Sequence, residues 1–269
     1  MFAFHFCLLC LLYFLSFLYD PAFVMRRRFF VDRFDANSAL LQGDAADHLG
    51  RVLRAGPGQF YELSDGTRVW LGRVNRVALS KSGKSEIAFE LIEPIAARES
   101  TLRLHLLLSI VKFDRFEWCL EKATELGVNE ITPLAATRTD KPLLAAASKR
   151  HGRWEKILLE SAQQARRVRP PALREAIRPA ESFARCIGSL NVMLSEREGA
   201  PAVYQALASV RASDAVLAIG PEGGWTDGEI AAARAAQFVE ASLGDTILRT
   251  ETATIAALAI LRFALTGAT

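Results

Sequence analysis

The chain is 269 residues long, 51% hydrophobic and 23% charged, with a net charge of +3. This composition excludes a disordered or fibrous chain and suffices for a substantial core divided between two domains. Four cysteines at positions 7, 10, 119 and 186 form neither a disulfide framework nor a zinc signature, which suits a reducing compartment and gives no metal site.

The first 24 residues are set apart by composition. Phe2 to Leu18 is almost wholly apolar, and the basic triplet Arg26-Arg27-Arg28 follows it rather than preceding it, the reverse of a secretory signal. Cys7 and Cys10 are spaced CxxC, but their apolar surroundings argue against redox or metal chemistry. Two readings stand. Residues 1–24 are a dispensable extension ahead of a start at Met25, or they are a membrane anchor that leaves the body of the protein in the cytoplasm.

Residues 25–95 read as a small β-rich domain of barrel type. Phe60 to Leu63 and Arg68 to Val74 flank Ser64-Asp65-Gly66-Thr67, a hairpin signal with Asp-Gly at the turn, and Glu86 to Ile92 is a further strand. Between them, His48 to Arg54 is expected to form a short helix with Arg51 and Arg54 on one face. Arg26, Arg27, Arg28, Arg33, Arg51 and Arg54 are a candidate phosphate patch, with a solvated surface as the plain alternative.

After Glu93-Pro94 the rhythm becomes strand, helix, strand, helix. Strands are expected at Leu102 to Leu108, Ile131 to Ala135, Val192 to Leu194, Ala215 to Ile219 and Phe238 to Leu243. Helices are expected at Phe113 to Leu126 and near 150–168, 200–210, 227–237 and 252–265, an α/β pattern with a mostly parallel sheet. Residues 138–185 hold 12 Lys or Arg against five Asp or Glu, ending in Arg166-Arg167-Val168-Arg169, which favours a polyanionic partner. Trp154, inside that tract, either stacks on a base or anchors its helix in the core.

Two glycine loops close the chain. Ile219-Gly220-Pro221-Glu222-Gly223-Gly224-Trp225 and Leu243-Gly244-Asp245-Thr246-Ile247-Leu248-Arg249-Thr250-Glu251 each follow a strand, where an α/β protein brings bare backbone against a ligand. The first loop lacks the lysine of a phosphate loop and the GxGxxG spacing of a dinucleotide site, so a smaller nucleoside-like ligand fits better.

These loops, with Glu229 and Ile247-Leu248-Arg249-Thr250-Glu251-Thr252-Ala253, resemble the signature of the 16S ribosomal RNA uridine-N3 methyltransferases of the SPOUT superfamily. Earlier segments agree: His48-Leu49 with Val52-Leu53-Arg54, Lys122 to Val128, Arg153-Trp154, and Glu160 to Gln164 with Arg167. The match runs from residue 25 to about 265, and only residues 1–24 stand outside it.

The resemblance implies an α/β SPOUT domain over 96–269 with a C-terminal deep trefoil knot, preceded by a PUA-like RNA-binding β-barrel over 25–95. It implies S-adenosylmethionine as cofactor, held by Leu194 and Ser195, by Ile219, Gly220, Pro221, Glu222, Gly223 and Gly224, and by Leu243, Gly244, Ile247 and Leu248. The expected substrate is N3 of a uridine of 16S rRNA, position 1498 in the standard numbering of that RNA, within the 30S subunit. A cytoplasmic homodimer joined through the C-terminal domain, without a stable membrane partner, is expected. RNA contacts are expected from Arg26, Arg27, Arg28, Arg51, Arg54, Arg166, Arg167 and Arg169. Arg249 would favour the uridine anion or a phosphate; Glu251 would orient Arg249, cap the last helix or act as a base; Glu222 would accept a cofactor hydrogen bond or hold its loop. The competing readings are a non-catalytic RNA-binding assembly factor on the same scaffold and methyl transfer to another RNA atom or position.

Overall fold

The computed structural model describes residues 27–80, 85–97, 100–208 and 210–266, and the chain divides into two compact units between Ile95 and Ala96. The apolar stretch, its CxxC spacing and Arg26 lie outside the described residues. No helix among the described residues is long and apolar enough to cross a membrane.

In the first unit, strands β1 (Arg28–Phe30), β2 (Phe34–Asp35), β3 (Ser38–Gln42), β4 (Phe60–Ser64), β5 (Val69–Ala78) and β6 (Glu86–Ile95) form one sheet in the order β1-β4-β5-β6-β3-β2. Only the β1–β4 pair is parallel. Period-two alternation turns Ala39 and Leu41 of β3 inward onto Phe29, Leu63, Ile87 and Phe89. The β4–β5 turn forms where the Asp-Gly signal places it. Asp65 Oδ1 accepts the backbone N–H groups of Thr67 and Arg68 at 3.0 and 2.8 Å. Burial works to raise that carboxyl, but these bonds, the Thr67 hydroxyl and the Arg68 guanidinium outweigh it and hold it at about 2.

Two expectations for this unit are corrected. Parallel register sets Arg28 opposite Glu62, and Nε and Nη2 both donate to Glu62 Oε2, at 3.1 and 2.8 Å, with both residues buried. Arg28 therefore belongs to a buried ion pair, not to a solvent-facing phosphate patch. The helix around 48–54 is shorter and starts earlier: α1 (Asp44–Asp47) widens over His48–Val52, where Leu53 N–H bonds the His48 carbonyl. Arg54 then takes a left-handed φ of +53°. Arg51 is drawn to Asp47 and to the Ser80 carbonyl, so Arg51 and Arg54 do not share a helix face.

The second unit is built on an all-parallel sheet. Its strands are β7 (Arg103–Ser109), β8 (Glu130–Leu134), β9 (Ala172–Leu173), β10 (Leu190–Leu194), β11 (Asp214–Ile219) and β12 (Val239–Ala241), in the order β12-β10-β11-β7-β8-β9. The helices are α2 (Phe113–Glu125), α3 (Lys141–Ala147), α4 (His151–Gln164), α5 (Pro179–Arg185), α6 (Val203–Leu207), α7 (Asp227–Ala235) and α8 (Thr250–Thr266). Alternate residues of β7 serve opposite faces: Leu104, Leu106 and Leu108 join Phe116, Leu120, Trp154, Leu158, Leu258 and Leu261 on one side. Leu107 joins Phe183, Val216, Ala218, Ile230 and Phe238 on the other. Helices cover both faces, which explains the unbroken apolar run of β7. Trp154 is 1% exposed and packs on Phe113 and Phe116, so it is the core anchor of α4 and not a base-stacking residue.

Near β12 the backbone ties two loop segments to each other. Three bonds join the residues after β10 and β12: Ser195 N–H to the Ala241 carbonyl at 2.9 Å, Ser242 N–H to Pro201 at 2.7 Å and Val203 N–H to Ser242 at 2.8 Å. From there residues 243–249 lead into α8, which returns to pack on α2 and β11.

Candidate functional site

The C-terminal ends of β10 and β11 and the segment after β12 enclose a cleft of about 560 Å³, the place where open parallel sheets bind ligands. Eleven of the twelve expected cofactor residues line it: Leu194, Ser195, Ile219, Gly220, Pro221, Glu222, Gly224, Leu243, Gly244, Ile247 and Leu248. Gly223 does not line the cleft. A Cβ there would stand 3.2 Å from Arg138 Cβ, so this glycine faces the neighbouring loop instead.

Three polar anchors hold the first glycine loop. Trp225 Nε1 donates to the Leu194 carbonyl at 2.7 Å, tying the ends of β10 and β11 together. A Cβ on Gly220 would stand 3.0 Å from the Trp225 indole, tighter than an ordinary contact, so a larger residue there requires the ring to give way. Arg138 Nη1 donates to the carbonyls of Gly223 and Trp225 at 2.9 and 3.2 Å. Glu229, buried at the start of α7, accepts from Thr226 N–H at 2.8 Å, Thr226 Oγ1 at 2.9 Å and Thr137 N–H at 2.9 Å, while Thr226 completes a capping box. Burial favours a neutral Glu229, but those donors prevail and hold its carboxyl below the ordinary value.

The second loop is looser and more open. Gly244 has φ +128°, which L side chains rarely adopt, and Ser242 Oγ bonds its N–H and carbonyl at 3.2 and 3.1 Å. Among the described residues, the backbone N–H groups of Leu243, Ile247 and Leu248 donate to no protein acceptor. Unused donors beside the apolar walls of Ile219, Ile230 and Leu248 are the donor set that an adenine-type ring and its sugar require. The residues present therefore fit a nucleoside cofactor.

The charged residues divide in a way that spacing alone did not show. Arg249 is exposed on the cleft wall and has no ion-pair partner among the described residues. Glu251 points elsewhere: its Oε1 lies 3.9 Å from Arg115 Nε on α2, and its Oε2 is buried without a hydrogen-bond partner. It neither lines the cleft nor contacts Arg249 in any ion pair, so a base acting directly on a ligand is not the role its position supports. Glu222 does line the cleft and pairs with Arg115 Nη1. Sequence reasoning missed Arg115; the available signal was Lys112-Phe113-Asp114-Arg115 directly after β7, the strand next to β11. Cys119, one turn further along α2, has a thiol that burial pushes up to about 12, and it serves packing.

The basic tract is only partly available to a partner. Arg167 Nη1 donates to the carbonyls of Thr124 and Val128 at 3.0 and 2.5 Å, so it fastens the turn after α2 and is corrected from an RNA contact to a structural residue. Arg150 and Arg153 pair with Glu117, and Arg174 with Glu130. Arg27, Arg54, Arg166 and Arg169 are exposed.

A two-sided parallel sheet whose strand ends frame a cleft of bare backbone defines an α/β nucleoside-binding domain. Comparison with known proteins narrows this: residues 98–262 match the RNA methyltransferase domain family. Ribosomal RNA small subunit methyltransferase E of Synechocystis is 33% identical over 217 residues, covering 79% of this chain and 68% of that protein. The solved structure of ribosomal RNA small subunit methyltransferase E from Neisseria gonorrhoeae, bound to S-adenosylmethionine, superposes with a TM-score of 0.76 at 28% identity, covering 91% of this chain and all of that one (100%). A Legionella pneumophila protein solved with bound S-adenosylmethionine has a TM-score of 0.78 at 30% identity, covering 90% and 98%. The chain belongs to the RNA methyltransferase family, in its ribosomal RNA small subunit methyltransferase E branch.

Proposed function

We propose that this protein methylates N3 of one uridine near the 3′ end of 16S rRNA within the 30S subunit, using S-adenosylmethionine. The observation that carries the reading is the convergence of both glycine loops on one cleft, with unused backbone donors inside and Arg249 on its wall, in a chain of this family.

Leu194, Ser195, Ile219, Gly220, Gly224, Leu243, Gly244, Ile247 and Leu248 would hold the cofactor by backbone contacts and apolar walls. When bound, S-adenosylmethionine supplies an electrophilic methyl group. The protein's own task is on the acceptor: N3 of uridine carries a proton and a delocalised lone pair, so the site must favour the N3 anion and aim it. Arg249 on the cleft wall, for which no carboxylate competes among the described residues, would meet the uridine anion or a phosphate of the RNA.

The same reading assigns residues 25–95 to a PUA-like RNA-binding barrel, with exposed Arg27 and Arg54 as phosphate contacts, and adds Arg166 and Arg169 of the second domain. A deep trefoil knot is proposed for the C-terminus. The interlocked bonds between 195–203 and 241–242, followed by the return of α8 onto β11, support it. A cytoplasmic homodimer through domain 96–269 completes the proposal.

The test is to incubate 30S particles lacking the modification with the protein and labelled S-adenosylmethionine, then digest and map the RNA by mass spectrometry. One methyl on one uridine base near the 3′ end is expected, with a reverse-transcription stop there because N3 methylation blocks the pairing edge. Label on a ribose oxygen or on tRNA alone would reject the uridine-N3 assignment. Cofactor binding without any RNA labelling would favour a non-catalytic assembly factor.

A further inference from the structure

Arg115 stands on the first turn of α2 and lines the cleft, with 26% of its side chain exposed. Two carboxylates from different elements flank its guanidinium. Nη1 donates to Glu222 Oε1 on the first glycine loop, and Nε lies 3.9 Å from Glu251 Oε1 at the start of α8. Glu251 is the more enclosed of the two, its side chain 14% exposed and its Oε2 shielded from water without a donor. An enclosed carboxylate is costly unless a cation compensates it, and among the described residues Arg115 is the ion-pair partner it has.

The Glu222 hydrogen bond fixes one end of the planar fork, and the Glu251 carboxylate faces its Nε at ion-pair range. Of its five N–H donors, those on Nη2 are engaged by neither carboxylate. A half-buried guanidinium that lines the cleft and keeps donors outside its ion pairs is placed to meet an anion that forms there during reaction. Arg249 differs in kind: exposed, and without an ion-pair partner among the described residues, it suits an entering phosphate, whose charge is permanent.

Resting on the methyltransferase reading, we propose that Arg115 contacts the substrate base and stabilises the negative charge left when uridine N3 loses its proton, with Glu251 and Glu222 as its positioning residues. In that step the N3–H bond breaks, the electron pair stays on the base and spreads onto its two carbonyl oxygens, and the proton passes to water. A fixed cation beside those oxygens lowers the cost of the step without itself exchanging a proton.

The test uses Arg115→Gln, Arg115→Lys and Glu251→Gln in the full chain. The readouts are the pH dependence of 30S methylation, cofactor affinity by calorimetry, and thermal unfolding. Arg115→Gln is expected to lower kcat on the order of 100-fold. It should also move the rise of rate with pH upward by about one pH unit or more, because an opposite charge at contact distance lowers an acid's pKa by about that much. Cofactor affinity should stay within about threefold, a change of less than one kcal/mol. Arg115→Lys should restore part of the rate, and Glu251→Gln should lower kcat with cofactor affinity unchanged and without the upward shift of the pH profile, because it disturbs the placement of Arg115 and keeps its charge. An unchanged pH profile in Arg115→Gln, or cofactor affinity falling in step with kcat, would overturn the proposal while leaving the methyltransferase reading intact. Absence of methylation by the unaltered protein would overturn both. Should Arg115→Gln fail to fold, Arg115→Lys decides, since it keeps the charge against Glu251 and loses the fork.

Discussion

Removing the Glu229 carboxylate should loosen the cleft without touching any ligand. Its side chain accepts two backbone N–H groups and one hydroxyl, and it joins the 137 loop to the start of α7. Glu229→Ala leaves the N–H groups of Thr137 and Thr226 to find water, at about 1 kcal/mol each given their partial exposure. The sum of about 2 kcal/mol corresponds to a fall in Tm of roughly 4–8 °C for a unit of this size. The pH dependence supplies a second signature. Because the folded-state pKa of Glu229 lies below its unfolded value, its contribution is complete above the ordinary glutamate range and fades as pH falls through the lowered folded value. Urea unfolding of wild type and variant from pH 7 down to the acid range measures both, with the gap narrowing toward acid. A loss under about 1 kcal/mol, or a gap that stays constant with pH, would refute the account of Glu229 as an ionised anchor.

Gly220→Ala places a Cβ within 3.0 Å of the Trp225 ring and should weaken S-adenosylmethionine binding at least about tenfold by calorimetry through displacement of that loop. Gly244→Val should do likewise, because its φ of +128° strains a β-branched residue. Trp154→Ala should cost about 3–5 kcal/mol in denaturant unfolding, as for a large aromatic removed from a tight core. Residues 96–269 alone, which form their own compact unit, are expected to fold and bind cofactor yet methylate 30S particles poorly, and full activity would remove the N-terminal unit from substrate positioning.

Five of the six strands of the second unit, and their order of appearance, were legible because this sheet is buried on both faces, so β7 and β11 read as apolar runs bounded by polar turns, whereas the two-residue β9 was not expected. The glycine loops were legible for a related reason: close backbone approach at Gly220 and positive φ at Gly224 and Gly244 favour glycine. Segments fixed by tertiary contact were not. The helices Lys141–Ala147 and Pro179–Arg185 are seven residues each, too short for periodicity to register, and α1 ends in a widened turn rather than the regular helix that spacing suggested. Gly223 illustrates the limit at the site, since its partner Arg138 lies 85 residues away in sequence.

Charge was the least legible property, and the basic tract shows why. Between residues 138 and 185 the sequence counts 12 basic side chains, but the fold assigns Arg138 to backbone carbonyls of the glycine loop, Arg150 and Arg153 to Glu117, Arg167 to the turn after α2 and Arg174 to Glu130. An arginine that satisfies buried carbonyls is a structural donor, and its exchange should reduce stability rather than the salt dependence of RNA binding. The exposed positions Arg166 and Arg169 are where phosphate affinity is expected. Replacing that pair with glutamine should lower 30S affinity and reduce the salt slope by about 1–2, since each phosphate contact contributes roughly 0.7–0.9. Arg167→Gln should instead lower Tm and leave the slope alone. Measuring both variants across a salt series separates the two roles: an equal effect of all three arginines on the slope would mean that the tract acts as one electrostatic surface and that the Arg167 bonds to Thr124 and Val128 do not exclude it from RNA.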